Sequence, residues 1–446
     1  MFKTLRNAFQ IADIRKRIAY TFMMLVVVRL GSLLPAPGVD AGVLSSYFSG
    51  EYSAFNFLNV FTGGSLEQMS IFALSISPYI TSSIIVQLLT IAIPKLEEMQ
   101  KDGEEGKKKM AAITRYVTVA LAVIQSVAMG IGFGNQGLFG GEKATFMQVA
   151  LFALTLTAGS SFLMWIGERI TEKGLGNGIS IILLINILSS LPQDLVNLYA
   201  KFIDPKITGT DKNYWIAALI AILILVIILV VVVFVIFLQG GQRKIPVQYS
   251  QKIQGRKTVG GQSSHIPLKV NTAGVIPVIF ASSLMQFPIL IGQFLKTENK
   301  IANEIFNGLN SSYWFAKGEN FKYTWGLLVY IVLTVAFAYF YTSITFNPLE
   351  IANNMKKSGG FVPGIRPGKP TADYLSKILN YIIFVGAVGL ILVQVIPFFF
   401  AGRFEAQVSF GGTSLIIIVG VVLETIEQVE SKMVVRNYKG FLNSGK

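Results

Sequence analysis

"WIAALIAILILVIILVVVVFVIFL", residues 215–238, is a run of 24 residues that contains no charged side chain. About 20 apolar residues in a helix cross the roughly 30 Å hydrocarbon core of a bilayer, so this run predicts a transmembrane helix. The composition of the whole chain agrees, since 52% of its 446 residues are hydrophobic and 14% are charged. We therefore expect a membrane protein.

Hydropathy and helix-breaking residues predict further spans on both sides of this run. The ten predicted spans lie near residues 18–35, 70–93, 111–131, 146–167, 176–191, 214–238, 268–292, 324–346, 375–396 and 411–430. The first is expected to be retained, because "LPAPG" follows it instead of a small-x-small cleavage site. The predicted fold class is an all-α polytopic membrane protein with ten transmembrane helices.

The distribution of positive charge predicts how the spans are oriented. With the N-terminus in the cytoplasm, that face and its adjoining helix ends collect 28 Lys and Arg residues, whereas the opposite loops collect 9. Cytoplasmic loops of membrane proteins are enriched in Lys and Arg. Because the number of spans is even, we expect both termini in the cytoplasm.

Ten spans divide into five and five near residue 200. The predicted units are an N-terminal half, residues 1–200, and a C-terminal half, residues 201–446. An odd number of spans in each half inverts the second half relative to the first, which is the topology of an inverted repeat.

Several classes of function are disfavoured by what the chain lacks. It has no cysteine and one histidine, His265, and no G-x-x-x-x-G-K-[ST] phosphate loop. We therefore predict no enzyme activity, no cofactor and no metal site. The rival prediction is a small-solute secondary transporter with inverted repeats. It would need ionisable residues at membrane depth, but the charged residues of the predicted spans fall near their ends.

A short segment, "AFNFLNVFTGG" at residues 54–64, fits no span. Its aromatic residues could form one face of a helix that Gly63 and Gly64 then break, but seven helical residues rise only about 10 Å. Two interpretations stay open at this point. The segment could be a helix on the outer membrane surface, or it could fold inward to close an apolar constriction.

Two predicted spans combine prolines with small polar side chains. Pro78 is followed by Ser82 and Ser83 in one span, and Pro277 by Ser282 and Ser283 in the other. Such hydroxyls commonly bond to the preceding helical turn or pack against a neighbour. Kinked polar helices can instead line a wet cavity and act as hinges.

Two predicted cytoplasmic loops, residues 239–269 and 347–374, are long and basic. Contact with anionic lipid would explain the positive charge of these loops but not their length. The length of the loops and the prolines in them favour a structured surface that docks an acidic protein or ribosomal RNA.

Six stretches together resemble the SecY family, the channel subunits of the bacterial Sec protein translocon. They are "GSLLPAPGVD", "SPYITSSIIVQLL", "GERITEKGLGNGISI", "HIPLKVNTAGVIPVIFASS", "NPLEIANNMKKSGGFVPGIRPG" and "FGGTSLIIIVG". The resemblance implies an hourglass channel in the plasma membrane, made of two inverted five-helix halves. Such a channel passes unfolded secretory polypeptides outward and releases apolar segments sideways into lipid.

The resemblance also implies roles for residues inside the membrane. An apolar pore ring maps onto Ile76, Ile80, Ile179, Leu183, Ile279 and Ile417. A plug helix maps onto Phe55, Asn56, Phe57, Leu58, Asn59, Val60, Phe61, Thr62, Gly63 and Gly64, with the two glycines as its hinge. A lateral gate between spans two and three and spans seven and eight maps onto Pro78, Ser82, Gln87, Gln125, Pro277, Ser282 and Ser283.

The partners that the resemblance implies are the SecE and SecG subunits, the SecA ATPase, the ribosome, secretory precursors with signal sequences, and membrane lipid. The basic loops become the docking surface for SecA and the ribosome, with ribosomal RNA as one contact. Its residues are Arg243, Lys244, Arg256, Lys257, Lys356, Lys357 and Arg366. Arg243 and Lys244 are expected at the tip of the first loop.

Overall fold

The computed structural model of the chain describes most of its residues. They are residues 9–39, 59, 62–134, 137–140, 144–202, 214–249, 252–254, 257–259, 263–295, 300–315, 318–404 and 412–443. Ten long helices of these ranges are named α1 (Ala12–Ser32), α2 (Ser77–Ala92), α3 (Gly103–Gly134), α4 (Phe146–Lys173), α5 (Gly178–Phe202), α6 (Tyr214–Gly240), α7 (Ile276–Leu295), α8 (Trp325–Thr345), α9 (Lys369–Phe404) and α10 (Gly412–Asn443).

Each long helix falls on one of the ten predicted spans. In the described part of the chain, five helices are long and apolar enough to cross a bilayer. A sixth is added when α2 and the short helix after it, which bends away by 109°, are counted together.

The predictions for the second and seventh spans are wrong at their starts. Ser70 forms a β-bridge with Pro35, residues 71–76 form turns, and α2 begins at Ser77. Residues 270–275 likewise form turns, and α7 begins at Ile276. Pro78 and Pro277 are therefore each the second residue of a helix. Proline is favoured in the first turn because the missing N–H has no helical partner there. These two prolines start their helices and do not kink them.

The helix packing repeats between the two halves. In the N-terminal half, α1 packs on α4 and α5, α2 on α3, α3 on α4, and α4 on α5. In the C-terminal half, α6 packs on α9 and α10, α7 on α8, α8 on α9, and α9 on α10. The two sets are the same set displaced by five helices. The division of the chain into units at residues 1–200 and 201–446 stays a prediction, and this correspondence is what two repeated five-helix units would give.

The two halves meet closely on one side. The strong pairings between them are those of α5 with α6 and with α10. A separate small cluster also joins the halves: Ile14 and Leu175 of the first half pack against Val429 of the second. Among the described residues, no strong pairing joins α2 or α3 to α7 or α8. The bundle therefore has one firmly packed side and one side with a seam.

The two basic loops contain β-structure that was not predicted. The strands are β1 (Gln242–Tyr249), β2 (Lys252–Gln254), β3 (Lys257–Val259), β4 (Ser263–Lys269) and β5 (Gly360–Phe361). β1 pairs with β4 in a hairpin, and β2 pairs with β3 farther out. β1 also pairs with β5, which lies in the loop between α8 and α9. One three-stranded sheet thus joins both basic loops.

Candidate functional site

An apolar cluster at the centre of the bundle contains all six residues predicted for the pore ring. Ile76, Leu183 and Ile417 are buried members of this cluster, and their exposed fractions are 1%, 7% and 2%. Ile80, Ile179 and Ile279 are partly buried and pack against it. The structure brings residues from four helices of both halves together. That they seal a pore stays a prediction.

These six residues lie at the starts of their helices. Ile76 is the N-cap residue of α2, and the others fall within the first six residues of α2, α5, α7 or α10. Since successive spans alternate in direction, α2 and α10 run opposite to α5 and α7. Helix starts from both faces therefore converge in one cluster, as a waist between two funnels requires.

A buried non-helical segment precedes α2. We call residues 62–76 the root segment; it consists mostly of turns, and most of its side chains are buried. Backbone groups buried in a membrane protein need hydrogen-bond partners. The chain after α1 supplies two of them: the backbone N–H of Ala36 donates to Met69 O at 2.8 Å, and the N–H of Ile71 donates to Leu34 O at 2.9 Å.

Glycines let neighbouring helices approach the root segment closely. A Cβ on Gly31 of α1 would lie 2.1 Å from the Phe72 ring, and one on Gly159 of α4 would lie 2.1 Å from the carbonyl oxygen of Ile71. Both distances are shorter than van der Waals contact. The root segment is therefore packed directly against α1 and α4.

The predicted plug is described in part. Phe55, Asn56, Phe57, Leu58, Val60 and Phe61 lie outside the described residues. Asn59 exchanges two hydrogen bonds with Glu67, from its Nδ2 to Oε2 at 3.0 Å and to its Oδ1 from the Glu67 N–H at 3.2 Å. The Thr62 hydroxyl, in a residue exposed by 3%, donates to Asn59 O at 3.0 Å and accepts from the Leu66 N–H at 3.3 Å. Asn59 of the plug is therefore bonded to the root segment, which shares residues 62–64 with the plug.

Gly63 is held in place, contrary to the prediction that both glycines form a hinge. Its carbonyl oxygen accepts from Arg29 Nη1 at 3.2 Å and from Ser189 Oγ at 3.4 Å. A Cβ there would lie 2.9 Å from Asn186 Cα, and φ is +67°, which favours glycine. Gly64 also has a positive φ, +83°, but nothing lies within 4 Å of the place where its Cβ would be.

Sequence reasoning missed Arg29, Asn186 and Ser189 as parts of this site. In the sequence, Arg29 is one of several charges near the ends of predicted spans. The signal that could have identified it is its isolation, because it is the single charged residue between Ile18 and Leu34. Asn186 and Ser189 offer no comparable signal, since small polar residues are common in packed transmembrane helices.

The predicted gate residues lie on α2, α3 and α7, and several have local partners. The Ser82 hydroxyl is buried, donates to Tyr79 O, and pairs with the Thr118 hydroxyl of α3. It therefore takes part in packing inside the N-terminal half. Ser282 Oγ donates to Ile279 O at 3.0 Å in its own helix. Gln87, Gln125 and Ser283 are half-buried on α2, α3 and α7.

The prediction that Arg243 and Lys244 lie at the tip of their loop is wrong. The register of the hairpin places Arg243 opposite Leu268 and Lys244 opposite Pro267, at the base of the hairpin next to α6 and α7. Both side chains are exposed. Lys257 belongs to β3 in the outer ribbon, and Arg256 lies outside the described residues.

Arg366 is exposed on a turn whose backbone is fixed. Gly364 and Gly368 have φ of +82° and +102°, and the hydroxyl of the buried residue Thr371 donates to the Arg366 carbonyl oxygen at 2.8 Å. Val362, four residues earlier, is 3% exposed. The turn therefore presents the guanidinium from an anchored backbone.

The remaining predicted cations share this surface. Lys356 and Lys357 are exposed in the last turn of the short helix Pro348–Lys357, which the side chain of Asn347 caps at its start. Beneath the surface, one apolar cluster joins the strands, the short helix and the ends of α8 and α9. Its buried members are Ile245, Val247, Leu268, Ala338, Met355, Val362, Leu375, Leu379, Ile383 and Ala387. We call this unit of sheet, short helix and Arg366 turn the basic platform.

Known proteins resemble the chain over nearly its full length. A family model described as SecY matches residues 70–426. The chain is 43% identical over 450 residues to the protein translocase subunit SecY of Halalkalibacterium halodurans, covering 99% of this chain and 100% of that protein. It is 42% identical over 450 residues to the protein translocase subunit SecY of Bacillus subtilis, covering 100% of both.

Solved structures share the fold at lower identity. One is the structure of a protein-conducting channel, with a TM-score of 0.65, 20% identity, and coverage of 94% of this chain and 93% of that chain. A SecY structure concerned with the plug domain gives a TM-score of 0.63 and 19% identity over 94% and 93%. Sec61 in the canine ribosome-channel complex from the endoplasmic reticulum gives 0.63 and 19% over 95% and 93%. The predicted fold class is confirmed.

Proposed function

The chain belongs to the SecY family, and from this membership we infer how its parts work. It is a multi-pass membrane protein and a protein-conducting channel, as its relatives are named translocase subunits. We take the cargo to be unfolded secretory polypeptides. The energy for transport comes from a partner, because the chain has no phosphate loop of its own.

The observation that carries this proposal is the central cluster. Six apolar residues from four helices of both halves belong to it, at the starts of helices that come from opposite faces. An apolar constriction resists wetting and therefore blocks ions without a lid of charged groups. Because the ring consists of side chains that adapt by changing rotamers, a polypeptide can pass while the ring stays closed around it.

The seam between α2 and α7 is the proposed lateral gate. It lies where the strong pairings between the halves are lacking in the described part of the chain, while α5 pairs firmly with α6 and α10. The halves can therefore open like a hinge about α5, so that an apolar segment of cargo leaves toward lipid. Gln87, Gln125 and Ser283 are the half-buried polar residues near this seam.

The plug proposal rests on residues 54–64 and their connection to the root segment. Asn59 and Thr62 are bonded to Glu67 and Leu66, and Thr62 is buried. One of the structural relatives is described as a SecY protein whose plug domain stabilises the closed state and maintains a membrane seal. We assign the same task to residues 54–64 of this chain.

The basic platform is proposed to dock the SecA motor and the ribosome in the cytoplasm. Arg243, Lys244, Lys356, Lys357 and Arg366 are exposed on it. Arginine suits contacts with carboxylates and phosphates because it offers several donors in a plane. A related Sec61 channel is described in a complex with the ribosome. SecE and SecG are the proposed companion subunits, and both termini are proposed to be cytoplasmic.

The small-solute transporter is not favoured. Coupled transport needs ionisable groups that bind an ion at membrane depth. The one charged residue of the first span, Arg29, is bonded to the backbone of Gly63. Its contact is structural, so it supplies no ion-binding site.

Reconstitution tests the proposal. The chain is incorporated into vesicles with SecE, and SecA, ATP and a secretory precursor with a signal sequence are added. We expect the precursor to become protected from external protease only when ATP is present. Absence of protection with active SecA, together with saturable uptake of a small solute, would overturn the proposal. A precursor without its signal sequence is the control.

A further inference from the structure

Arg29 is isolated in an apolar helix. Between Ile18 and Leu34 no other residue is charged. A charged residue in a transmembrane segment is costly and persists where it has a partner. Its place in the last turn of α1 has two ordinary explanations: a cation complements the helix dipole there, and a long side chain can reach the membrane surface.

Neither explanation accounts for the partner that Arg29 has. Its Nη1 donates at 3.2 Å to the carbonyl oxygen of Gly63, 34 residues along the chain at the start of the root segment. The dipole would direct the guanidinium to carbonyls of α1, and solvation would direct it to water. Instead the side chain is half-buried and bonded to another segment.

A second helix holds the same point. Ser189 of α5 donates to the same Gly63 oxygen at 3.4 Å, and the Cα atom of Asn186 lies so close that a Cβ on Gly63 would be 2.9 Å from it. Gly63 is therefore enclosed by α1 on one side and α5 on the other.

α5 also holds the other end of the root segment. Asn186 Nδ2 donates to Ser75 Oγ at 3.0 Å, and Ser160 of α4 donates to the Ser75 carbonyl oxygen at 3.1 Å. Ser75 has φ of +50°, a conformation that a residue other than glycine seldom adopts without such support. Asn186 and Ser189 are three residues apart on α5, so one face of this helix fixes both ends of the root segment.

We propose that Arg29 is a positioning residue that holds the base of the plug. This inference rests on the proposed plug function of residues 54–64. Arg29 and Ser189 keep Gly63 fixed, so the plug is anchored where it joins the root segment. Without Arg29 the base is released, and the resting channel closes less completely.

The test compares paired variants of the full chain reconstituted with SecE in planar bilayers. The measured quantity is ion conductance without precursor. We expect Arg29→Gln to raise it about tenfold, which corresponds to about 1.4 kcal/mol and is within reach of one hydrogen bond to a charged group. Arg29→Lys keeps a cationic donor and should give a smaller rise.

Two glycine variants separate contact from backbone strain. Gly63 and Gly64 both have a positive φ. Of the two, only Gly63 has atoms within 4 Å of the place where an added Cβ would lie. Gly63→Ala should leak as Arg29→Gln does, whereas Gly64→Ala should leak much less. Ser189→Ala is a milder variant for use if Arg29→Gln fails to accumulate in the membrane. It should raise the conductance severalfold.

The outcomes distinguish this inference from the function beneath it. If the wild-type channel transports precursor and Arg29→Gln and Ser189→Ala both keep the wild-type resting conductance, Arg29 does not hold the plug. Equal leaks from Gly63→Ala and Gly64→Ala would also overturn the inference. If the variants leak as expected but the wild-type channel moves no precursor, the proposed transport function is wrong, while the inference that Arg29 holds the base of the plug is kept.

Discussion

The two halves of the molecule share one pattern of helix packing but differ in the residues that lie outside their five long helices. In the N-terminal half, residues 62–76 fold into the bundle and pack against α1, α4 and α5. In the C-terminal half, the additional residues form the basic platform beyond the ends of α6 to α9. The same helix packing therefore carries a segment inside the bundle in one half and an exposed surface in the other.

We expect this difference to correspond to a division of tasks. An internal segment that is bonded at both ends is suited to closing a passage. An exposed surface with a packed apolar base is suited to binding a large partner. Changes in the basic platform should therefore alter driven transport, and changes in the plug and the root segment should alter the resting conductance. Each prediction that follows tests whether the two effects separate.

The largest effect is expected from Arg366→Glu. Buried or central arginines of interfaces often contribute 2 kcal/mol or more, and a reversed charge also repels an acidic partner. SecA-driven precursor transport into vesicles should fall roughly 100-fold, while the resting ion conductance stays at the wild-type level. Lys369→Glu, the same charge change three residues away on an exposed residue, is the control. An equal loss in both variants would mean that net charge and not Arg366 matters.

The next effect is expected from removing residues 57–64. Burial of each large apolar side chain contributes about 1.5–3 kcal/mol, so loss of the plug should raise resting conductance about tenfold or more. Transport should continue, because the platform is unchanged. Conductance in planar bilayers is the measurement, with Arg366→Glu as the matched variant of the other half. A deletion that leaves conductance unchanged would contradict the plug assignment.

A smaller effect is expected from Ile80→Lys in the central cluster. A cation within an apolar membrane core costs roughly 2.5–3.5 kcal/mol, so water should enter the constriction and conductance should rise severalfold. Ile91→Lys is the control, since Ile91 lies on the same helix but is 52% exposed. If both lysines raise conductance equally, the effect comes from a destabilised α2 and not from the seal.

The smallest effect is expected from Ser82→Ala. The Ser82 hydroxyl pairs with Thr118 inside the N-terminal half, and hydrogen bonds between membrane helices average about 0.6 kcal/mol. Precursor transport should change less than about threefold, and Ser83→Ala should behave similarly. If Ser82→Ala, and not Ser83→Ala, greatly reduced the insertion of apolar cargo segments into lipid, Ser82 would be part of the lateral gate.

The sequence predicted the ten helices because hydropathy reports which residues avoid water. It failed at residues 70–76, which are as apolar as a helix but form a mostly buried segment without helix. Hydropathy cannot distinguish the two, because the turns depend on distant partners such as Ser160 and Asn186. The positions of Pro78 and Pro277 carried the correct signal, since proline favours the first turn of a helix.

The candidate site was predictable to different degrees in its parts. The six cluster residues came from the resemblance, because isoleucines one turn apart are also typical of ordinary packing. The platform cations came from charge and loop length, but the β1 register that moves Arg243 to the hairpin base depends on pairing with β4. Contact of Arg29 with Gly63 joins residues 34 positions apart, and no local pattern encodes it.

The pairing of β1 with β5 has a mechanical consequence. Gln248 lies opposite Phe361 and Tyr249 opposite Gly360, so the connections α6–α7 and α8–α9 share one sheet. If this sheet moves as one body, a force applied to it acts on the adjoining ends of α6, α7, α8 and α9 together. A partner that docks on the basic platform, as proposed, would therefore act on both connections at once.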